Sequence, residues 1–411
     1  RDIPVGRYGT SNTGQMKTVY RLGLGNRYGR AMQTIAGIHY NFSLPDEFWQ
    51  GWQAIKQDTQ DLQAFKTEQY FGLIRNFHRF AWLLIYLYGA SPALCRTFLQ
   101  GRSHQLEEMG NGTLYDSYGT TLRMSDLGYK SKAQQDLYVC YNKLDTYTQT
   151  LLGALRKSYP EYEGIGLKDS SGNYKQLSTH LLQIENEFYG TIRPKRTANP
   201  GEAPIRALEQ RGVEYIEVRA LDVNPYLPMG IDACQTRFVD VFLLFCLMAD
   251  SPPMTSADYL ATQRNLSATV KEGRNPAIDI YTACGTIPLR ERATQLLQTM
   301  APIAELMDGK AGGQHCASLD LQQAKVDDVE LTPSAQILTD LRQHDDSFYD
   351  FAMQKSREHQ AYFASLKMNS EQQQLFDTAA VESLAKHKAV EAESQPSFED
   401  HLATFFAQYE A

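Results

Sequence analysis

The clearest strand pattern in the sequence is Glu214-Tyr215-Ile216-Glu217-Val218-Arg219-Ala220-Leu221-Asp222-Val223-Asn224-Pro225. Its side chains alternate with the period of two that is typical of a β-strand. Ile216 and Val218 are expected on one face, and Glu217 and Arg219 on the other. A buried charge is unfavourable unless it is paired or binds a ligand. Two interpretations stay open: an ion pair on a half-exposed sheet, or a metal ligand beside an arginine that binds phosphate or carboxylate.

The composition is that of an ordinary globular protein, with 411 residues, 42% hydrophobic and 21% charged. This length allows two or three domains of roughly 100 to 200 residues, or one large enzyme fold. The net charge of -8 argues against a nucleic-acid-binding protein, which is normally basic. The longest apolar runs, 81–88 and 241–249, are shorter than the roughly 20 residues that a membrane span requires. Partners among nucleic acids and membranes are therefore not expected.

The six cysteines lie at wide, irregular spacings without a C-x-x-C pair. This pattern excludes the usual zinc ribbon and gives no sign of a disulfide framework. A reducing cytoplasm is the expected location.

Polar residues recur on the faces of other predicted strands. Residues 38–43 predict a short strand with His39 and Asn41 on one face. Residues 181–189 alternate in the same way and predict a second charged strand. The segment 192–196 predicts a basic turn, for which a solvated turn and a polyphosphate clamp are both open.

Apolar spacing predicts helices elsewhere, at 68–88, 131–157, 232–249, 256–272 and 289–306. Ser91-Pro92 predicts another helix start, and residues 101–121 a long glycine-rich loop. The tail from 371 to 411 predicts solvated helices. This organisation divides the chain into an α/β core over 1–230 and a mainly helical region over 231–411.

The residues alone leave the function open between two classes. There is no Walker A motif and no G-x-S-x-G nucleophile elbow. Tyrosine, arginine and glutamate on strand faces suit an enzyme that binds ATP through magnesium and scattered cations, and they suit a carbohydrate-binding sheet nearly as well. Arg123, which follows the glycine-rich loop, is either an exposed ion-pair partner or an anion-binding residue.

Seven segments, in order and spacing, resemble the glutamate-cysteine ligase family of gamma-proteobacteria. They read YGTSNTG (8–14), NRYG (26–29), HYNFSLP (39–45), LRMSDLGY (122–129), QIENE (183–187), IRPKR (192–196) and EYIEVR (214–219).

The resemblance implies an α+β, glutamine-synthetase-like fold. An antiparallel sheet would form one wall of a funnel-shaped active site, with packed helices and a helical C-terminal third. It also implies the first step of glutathione biosynthesis, in which L-glutamate is joined to L-cysteine through a γ-glutamyl phosphate. ATP would be the co-substrate and two or more Mg²⁺ ions the cofactors, since phosphoryl transfer relies on cations to spread charge.

Site residues are implied by the same motif matches. Glu217 would bind Mg²⁺, because carboxylate is a hard donor, and Arg219 would hold the transferring phosphate. His39 would lie near the metal and substrate, and Arg123 in the substrate surroundings, so that Arg219, Arg123 and His39 form the expected catalytic set. The expected substrate-binding residues are Tyr20, Ile35, Tyr129 and Tyr189, and the candidate nucleotide or phosphate contacts are Arg193 and Lys195.

The family also carries a further N-terminal segment, rich in acidic residues, that supplies magnesium ligands. We therefore expect the 411-residue chain alone to have little ligase activity, and to be completed by an N-terminal segment or separate chain. The resemblance favours a monomer. Two alternatives stay open: a related glutamate-amine ligase with a different acceptor, and an inactive fragment or binding protein.

Overall fold

The computed structural model describes residues 3–99, 101–110, 112–128, 132–135, 137–309 and 313–410. It contains helices packed around small antiparallel sheets, and the predicted α+β class is confirmed. The strands are β1 (Ile38–Phe42), β2 (Ala93–Cys95), β3 (Glu107–Met109), β4 (Thr113–Tyr115), β5 (Ile192–Lys195), β6 (Tyr215–Leu221), β7 (Asp279–Thr282) and β8 (Gly285–Pro288). The helices are α1 (Asn12–Tyr28), α2 (Asp46–Lys56), α3 (Leu62–Tyr88), α4 (Arg96–Leu99), α5 (Lys132–Gln135), α6 (Leu144–Arg156), α7 (Pro160–Ile165), α8 (Pro204–Arg211), α9 (Ala233–Met248), α10 (Ser256–Glu272), α11 (Leu289–Asp308), α12 (Gln314–Asp327), α13 (Pro333–Leu341), α14 (Phe348–Ser365), α15 (Ser370–Ala392) and α16 (Phe398–Glu410).

The sheet that positions the candidate site has the strand order β1-β6-β5, and both pairings are antiparallel. The predicted strand at 214–221 is its central strand. Ile216 and Val218 are fully buried, as is Ile192 on β5, so this face of the sheet is apolar. The opposite face carries the charged residues, as the alternation predicts.

Helix α3 packs against the apolar face of this sheet. Asp61 caps its first turn by accepting hydrogen bonds from the amides of Gln63 and Ala64, which are otherwise unpaired at a helix start. Residues 81–88 at its C-terminal end are all apolar in character and all buried, and the helix packs between the sheet, α9 and α10. The sheet is therefore supported by a rigid layer, and its charged face is left for the site.

The strand predicted at 181–189 is wrong. Glu185–Glu187 is a 3-10 turn, because the polar side chains in this segment bind its own backbone. The Glu187 carboxylate accepts a hydrogen bond from the Gln183 amide at 2.7 Å, and the Gln183 side chain accepts one from the Leu177 amide at 2.9 Å. The basic turn predicted at 192–196 is instead the edge strand β5, whose residues pair with β6.

Three other predictions also differ from the structure. Ser91 begins no helix, since its backbone pairs with Thr120 and Leu122 and is followed by β2. The loop predicted at 101–121 contains the hairpin β3–β4. The helix predicted at 131–157 is interrupted, since residues 137–143 are not helical and α6 begins at Leu144.

The helical C-terminal part is confirmed, although one of its helices is not solvated. Helix α15 is exposed along its length apart from the half-buried Glu391, as predicted. In α16, however, Leu402 and Tyr409 are buried. The division at residue 230 stays a prediction. Among the described residues, no helix is both long and apolar enough to cross a membrane.

Candidate active site

The polar face of the sheet presents a row of charged residues at its centre. Glu217 on β6 lies directly between Asn41 on β1 and Arg193 on β5 in the strand register. Lys195 follows on the same face of β5, opposite Tyr215. Directly paired residues in an antiparallel sheet share a face, so the three strands converge their polar side chains on one surface.

A β-bulge shapes the end of this row. Ile38 pairs with Leu221 but Tyr40 pairs with Val218, so the single residue His39 lies opposite two residues of β6, Arg219 and Ala220. His39 contacts both charged neighbours, with Nδ1 3.2 Å from Glu217 Oε1 and Nε2 3.3 Å from Arg219 Nε. Burial and Arg219 lower the pKa of His39, and Glu217 opposes this shift. The imidazole is therefore held in its neutral form.

Glu217 and Arg219 form only a loose ion pair. Arg219 Nε lies 3.9 Å from Glu217 Oε2, and the two side chains are only 16% and 13% exposed. Both interpretations of the sequence are therefore compatible with the geometry: the pair exists, but it is too long for a direct hydrogen bond. A ligand could insert between these groups without breaking a strong contact.

A cleft of about 240 Å³ opens beside Arg219 and Arg193. Helix α1 forms one wall and the turn at Glu185–Glu187 the other. The cleft brings together five of the residues that the sequence indicated, although they are far apart in the chain: Tyr20, Ile35, Tyr189, Arg193 and Arg219. Further lining residues that the sequence did not indicate include Arg21, Gln33, Gln134, Asn186 and Glu187.

Two of the cleft tyrosines, Tyr20 and Tyr189, are the ones that the sequence indicated, and both are neutral hydrogen-bonding groups. Burial is the main cause that raises the pKa of Tyr20 and of Tyr189. The Arg219 guanidinium carbon lies 5.4 Å from the centre of the Tyr189 ring, and the Tyr189 hydroxyl is 3.2 Å from Met124 Sδ. Such hydroxyls can orient a small zwitterion without adding charge.

Arg193 and Lys195 are cations that their surroundings do not neutralise. Arg193 is 7% exposed; its Nη2 donates to the Asn186 carbonyl at 3.0 Å, but its buried Nε has no hydrogen-bond partner among the described residues. Burial lowers the pKa of Lys195, Glu217 opposes that shift, and Arg193 adds to it. Unpaired buried donors are costly, so this part of the face favours an anionic ligand.

Arg123 is buried beside Asp222, and its anion-binding role stays a prediction. It is 7% exposed and its Nε donates to Asp222 Oδ1 at 2.6 Å, so it is not an exposed ion-pair partner. Its Nη1 and Nη2 both lie 3.3 Å from the Arg219 carbonyl. It lines a second cavity of about 240 Å³ together with Ile35, and it is not part of the cleft lining. In this structure Arg123 braces the strand that carries Arg219.

Asp222 holds this arrangement together. Its carboxylate, 3% exposed, accepts hydrogen bonds from the Ala90 amide, the Ser91 and Thr121 hydroxyls and Arg123. The sequence contained Asp222 within the strand stretch, but the pattern gave it no role. An aspartate that directly follows a buried strand end is the signal that could have indicated it.

A second buried ion pair, also missed, supports the cleft wall. The side chains of Arg27 and Glu187 have no exposed area, and their charged atoms lie 2.9 Å apart. The Tyr28 hydroxyl donates to the same carboxylate at 2.6 Å. Two residues of the NRYG segment therefore attach α1 to the turn that carries Glu187.

The two remaining expectations are Tyr129 and the magnesium site. Tyr129 lies outside the described residues. For magnesium, Glu217 is the carboxylate of the polar face, and among the described residues no group of three or more histidine, cysteine, aspartate or glutamate side chains could hold a metal ion. The described residues thus fit one ligand of a magnesium site, not a complete site.

The fold is α+β, and the candidate site consists of a cationic sheet face beside a cleft lined by tyrosines. This combination is typical of an enzyme that binds anionic substrates. A family model described as glutamate-cysteine ligase matches residues 1–269. The chain belongs to the glutamate-cysteine ligase family.

Individual relatives agree with this assignment. The glutamate-cysteine ligase of Alcanivorax borkumensis is 49% identical over 410 residues, covering 98% of this chain and 78% of the relative. That of Saccharophagus degradans is 48% identical over 412 residues, covering 99% and 78%. A solved Francisella tularensis glutamate-cysteine ligase, in complex with AMP, superposes with a TM-score of 0.91 at 35% identity, covering 98% of this chain and 79% of that one. A bifunctional glutathione synthetase from Pasteurella multocida shares the fold alone, with a TM-score of 0.64 at 20% identity over 84% of this chain and 39% of that one.

Proposed function

We propose that this site joins L-glutamate to L-cysteine at the expense of ATP, through a γ-glutamyl phosphate. The γ-carboxylate of glutamate attacks the γ-phosphorus of ATP and releases ADP. The cysteine amine then attacks the acyl phosphate, so that an amide bond forms and phosphate leaves. The observation that carries this proposal is the polar face itself, where Arg193, Lys195 and Arg219 surround a single carboxylate, Glu217.

Each part of the site has a task that its chemistry supports. Arg219 would hold the transferring phosphoryl group, since a planar guanidinium matches phosphate oxygens in two places. Arg193 and Lys195 would bind the other phosphates of the nucleotide. Tyr20 and Tyr189 would orient the cysteine substrate, with Ile35 beside them in the cleft.

Glu217 would hold a Mg²⁺ ion, which, when bound, neutralises charge on the phosphates. His39, neutral and 3.2 Å from Glu217, would orient this carboxylate. We also propose that the protein is a monomer and that it works in the reducing cytoplasm; the six free cysteines are compatible with that compartment.

The test measures phosphate release by the protein as its gene encodes it, with MgATP and L-glutamate. We expect release to depend on an added amine and to be fastest with L-cysteine. L-2-aminobutyrate has a methyl group in place of the thiol, and ethylamine lacks both the thiol and the carboxylate, so these acceptors report the two ends of the cysteine pocket.

Faster turnover with ethylamine than with cysteine would favour the related ligase with a different acceptor. Calorimetric titration addresses the binding-protein alternative. Absence of MgATP binding would contradict both the proposed reaction and the assignment of the cations.

A further inference from the structure

The last turn of α16 is bonded into the structure behind the cleft. Tyr409 is 2% exposed, and its carbonyl accepts a hydrogen bond from Arg156 Nε at 2.7 Å. The neighbouring Gln408 side chain accepts one from the Ala203 amide at 2.8 Å. The C-terminal helix is thus fixed to α6 and to the start of α8.

The Tyr409 hydroxyl donates to one oxygen of Glu185, and the other oxygen of Glu185 accepts a hydrogen bond from the Ile205 amide at 2.9 Å. Both carboxylate oxygens are therefore used. Glu185 begins the 3-10 turn whose next residue, Asn186, receives the hydrogen bond from Arg193. A hydroxyl on the C-terminal helix thus contacts the turn that flanks a candidate phosphate-binding cation.

Glu185 also lines the small cavity that Arg193 and Lys195 line from the sheet side. Neither cation forms an ion pair among the described residues, and Arg193 Nε has no hydrogen-bond partner there. A carboxylate released from Tyr409 would be drawn to these charges, because attraction between opposite charges is strong in a poorly solvated site. It would then occupy the donors that an anionic ligand needs.

We propose that Tyr409 is a positioning residue that holds the Glu185 carboxylate away from Arg193 and Lys195. These two cations thereby stay available for the phosphate groups of a nucleotide. The inference rests on the proposed function, since it assumes that the nucleotide phosphates bind at this face.

The test is calorimetric titration with MgATP of the wild type, Tyr409→Phe, Glu185→Gln and the double variant. Tyr409→Phe removes one hydroxyl and retains the ring, and we expect it to weaken MgATP binding about tenfold. The double variant lacks the competing charge and should recover to within about twofold of the wild type. Glu185→Gln alone should bind at least as tightly as the wild type. Tyr349→Phe, on an exposed ring with 62% of its area accessible, is the matched control and should change nothing.

If Tyr409 acted only through packing, removing the charge of Glu185 would not restore MgATP binding. Recovery in the double variant therefore distinguishes a positioning role from a packing role. Unchanged binding by Tyr409→Phe, or a double variant as weak as Tyr409→Phe, would overturn the proposal. Should Tyr409→Phe fail to fold, as judged by thermal denaturation, Glu185→Gln decides, and weaker binding by that variant overturns the proposal. A wild type that binds no MgATP would instead remove the proposed function on which it rests.

Discussion

Arg123 and Arg193 are equally buried, at 7% exposure each, but their surroundings differ. Arg123 donates to the carboxylate of Asp222, and its two terminal nitrogens face the Arg219 carbonyl. Arg193 has one carbonyl partner and a buried Nε without any among the described residues. Both arginines were indicated by sequence motifs as candidate site residues.

The difference shows that burial and charge alone do not identify a ligand contact. A buried guanidinium that is already paired with a carboxylate stabilises the protein, because releasing it would expose an uncompensated charge. One that retains an unpaired donor on the polar face has capacity left for an anion. The Asp222 cluster is therefore a support of the sheet, and the cationic face of β5 and β6 is the proposed binding surface.

The largest expected effect is that of substituting Asp222, whose cluster supports the sheet. Asp222→Ala leaves Arg123 buried without its carboxylate, and we expect the free energy of unfolding to fall by about 3–5 kcal/mol. Urea unfolding followed by circular dichroism measures this change. Asp222→Asn, which retains the shape of the side chain but not its charge, should lower the free energy of unfolding by less than Asp222→Ala.

The matched control is the exposed ion pair Arg96–Glu108, whose side chains are 51% and 58% accessible. Glu108→Ala should change the free energy of unfolding by less than about 1 kcal/mol. Equal effects of Glu108→Ala and Asp222→Ala would show that the Asp222 cluster is not a support.

The second largest expected effect is that of substituting Arg219 on the proposed binding surface. Arg219→Ala should lower kcat by about 10²–10³-fold, the usual loss when one donor to a developing charge is removed. The KM for cysteine should change little, since Arg219 is assigned to the phosphoryl group. Steady-state phosphate release over a range of cysteine concentrations separates the two parameters. The exposed Arg357→Ala serves as control, and equal losses in kcat and cysteine affinity would contradict the assigned role.

The sequence was sufficient for the parts of the site that depend on local pattern. Strands β1 and β6 follow from alternation, and the shared face of Glu217 and Arg219 follows with them. The pairing of Arg123 with Asp222 could not be predicted, because the two residues are 99 positions apart and their contact is decided by packing. Segment 181–189 was predicted wrongly because periodicity does not reveal that Glu187 binds the Gln183 amide.

The role of α16 had a sequence signal that charge content obscured. Phe398, Leu402, Phe405, Phe406 and Tyr409 recur at helical spacing, which predicts a buried face. The neighbouring α15 has a similar charge content but is exposed along most of its length. Spacing of apolar residues, not charge content, distinguishes the docked helix from the solvated one.

The smallest expected effect concerns Lys325, a buried cation that lies away from the sheet and can be compared with Arg123 and Arg193. Lys325 Nζ has neutral partners, the Leu87 carbonyl at 3.3 Å and Gln322 Oε1 at 2.9 Å, and lies 4.4 Å from the centre of the Tyr88 ring. Burial lowers the pKa of Lys325 to about 8, with Cys234 and Asp232 opposing the shift. Between this value and the usual pKa of 10.5, the unfolded chain binds more protons than the folded one, so stability contributed by this group rises with pH.

We therefore expect the wild type to gain about 2 kcal/mol of unfolding free energy, relative to Lys325→Met, between pH 8 and pH 10. Urea unfolding of both proteins at each pH measures this difference. The tyrosines are common to both proteins, so the contribution of their titration cancels. Parallel pH profiles would show that Lys325 is stabilised as a charge by its neutral partners. In that case a carboxylate would not be needed to keep a buried cation in place, and the distinction drawn between Arg123 and Arg193 would lose its energetic basis.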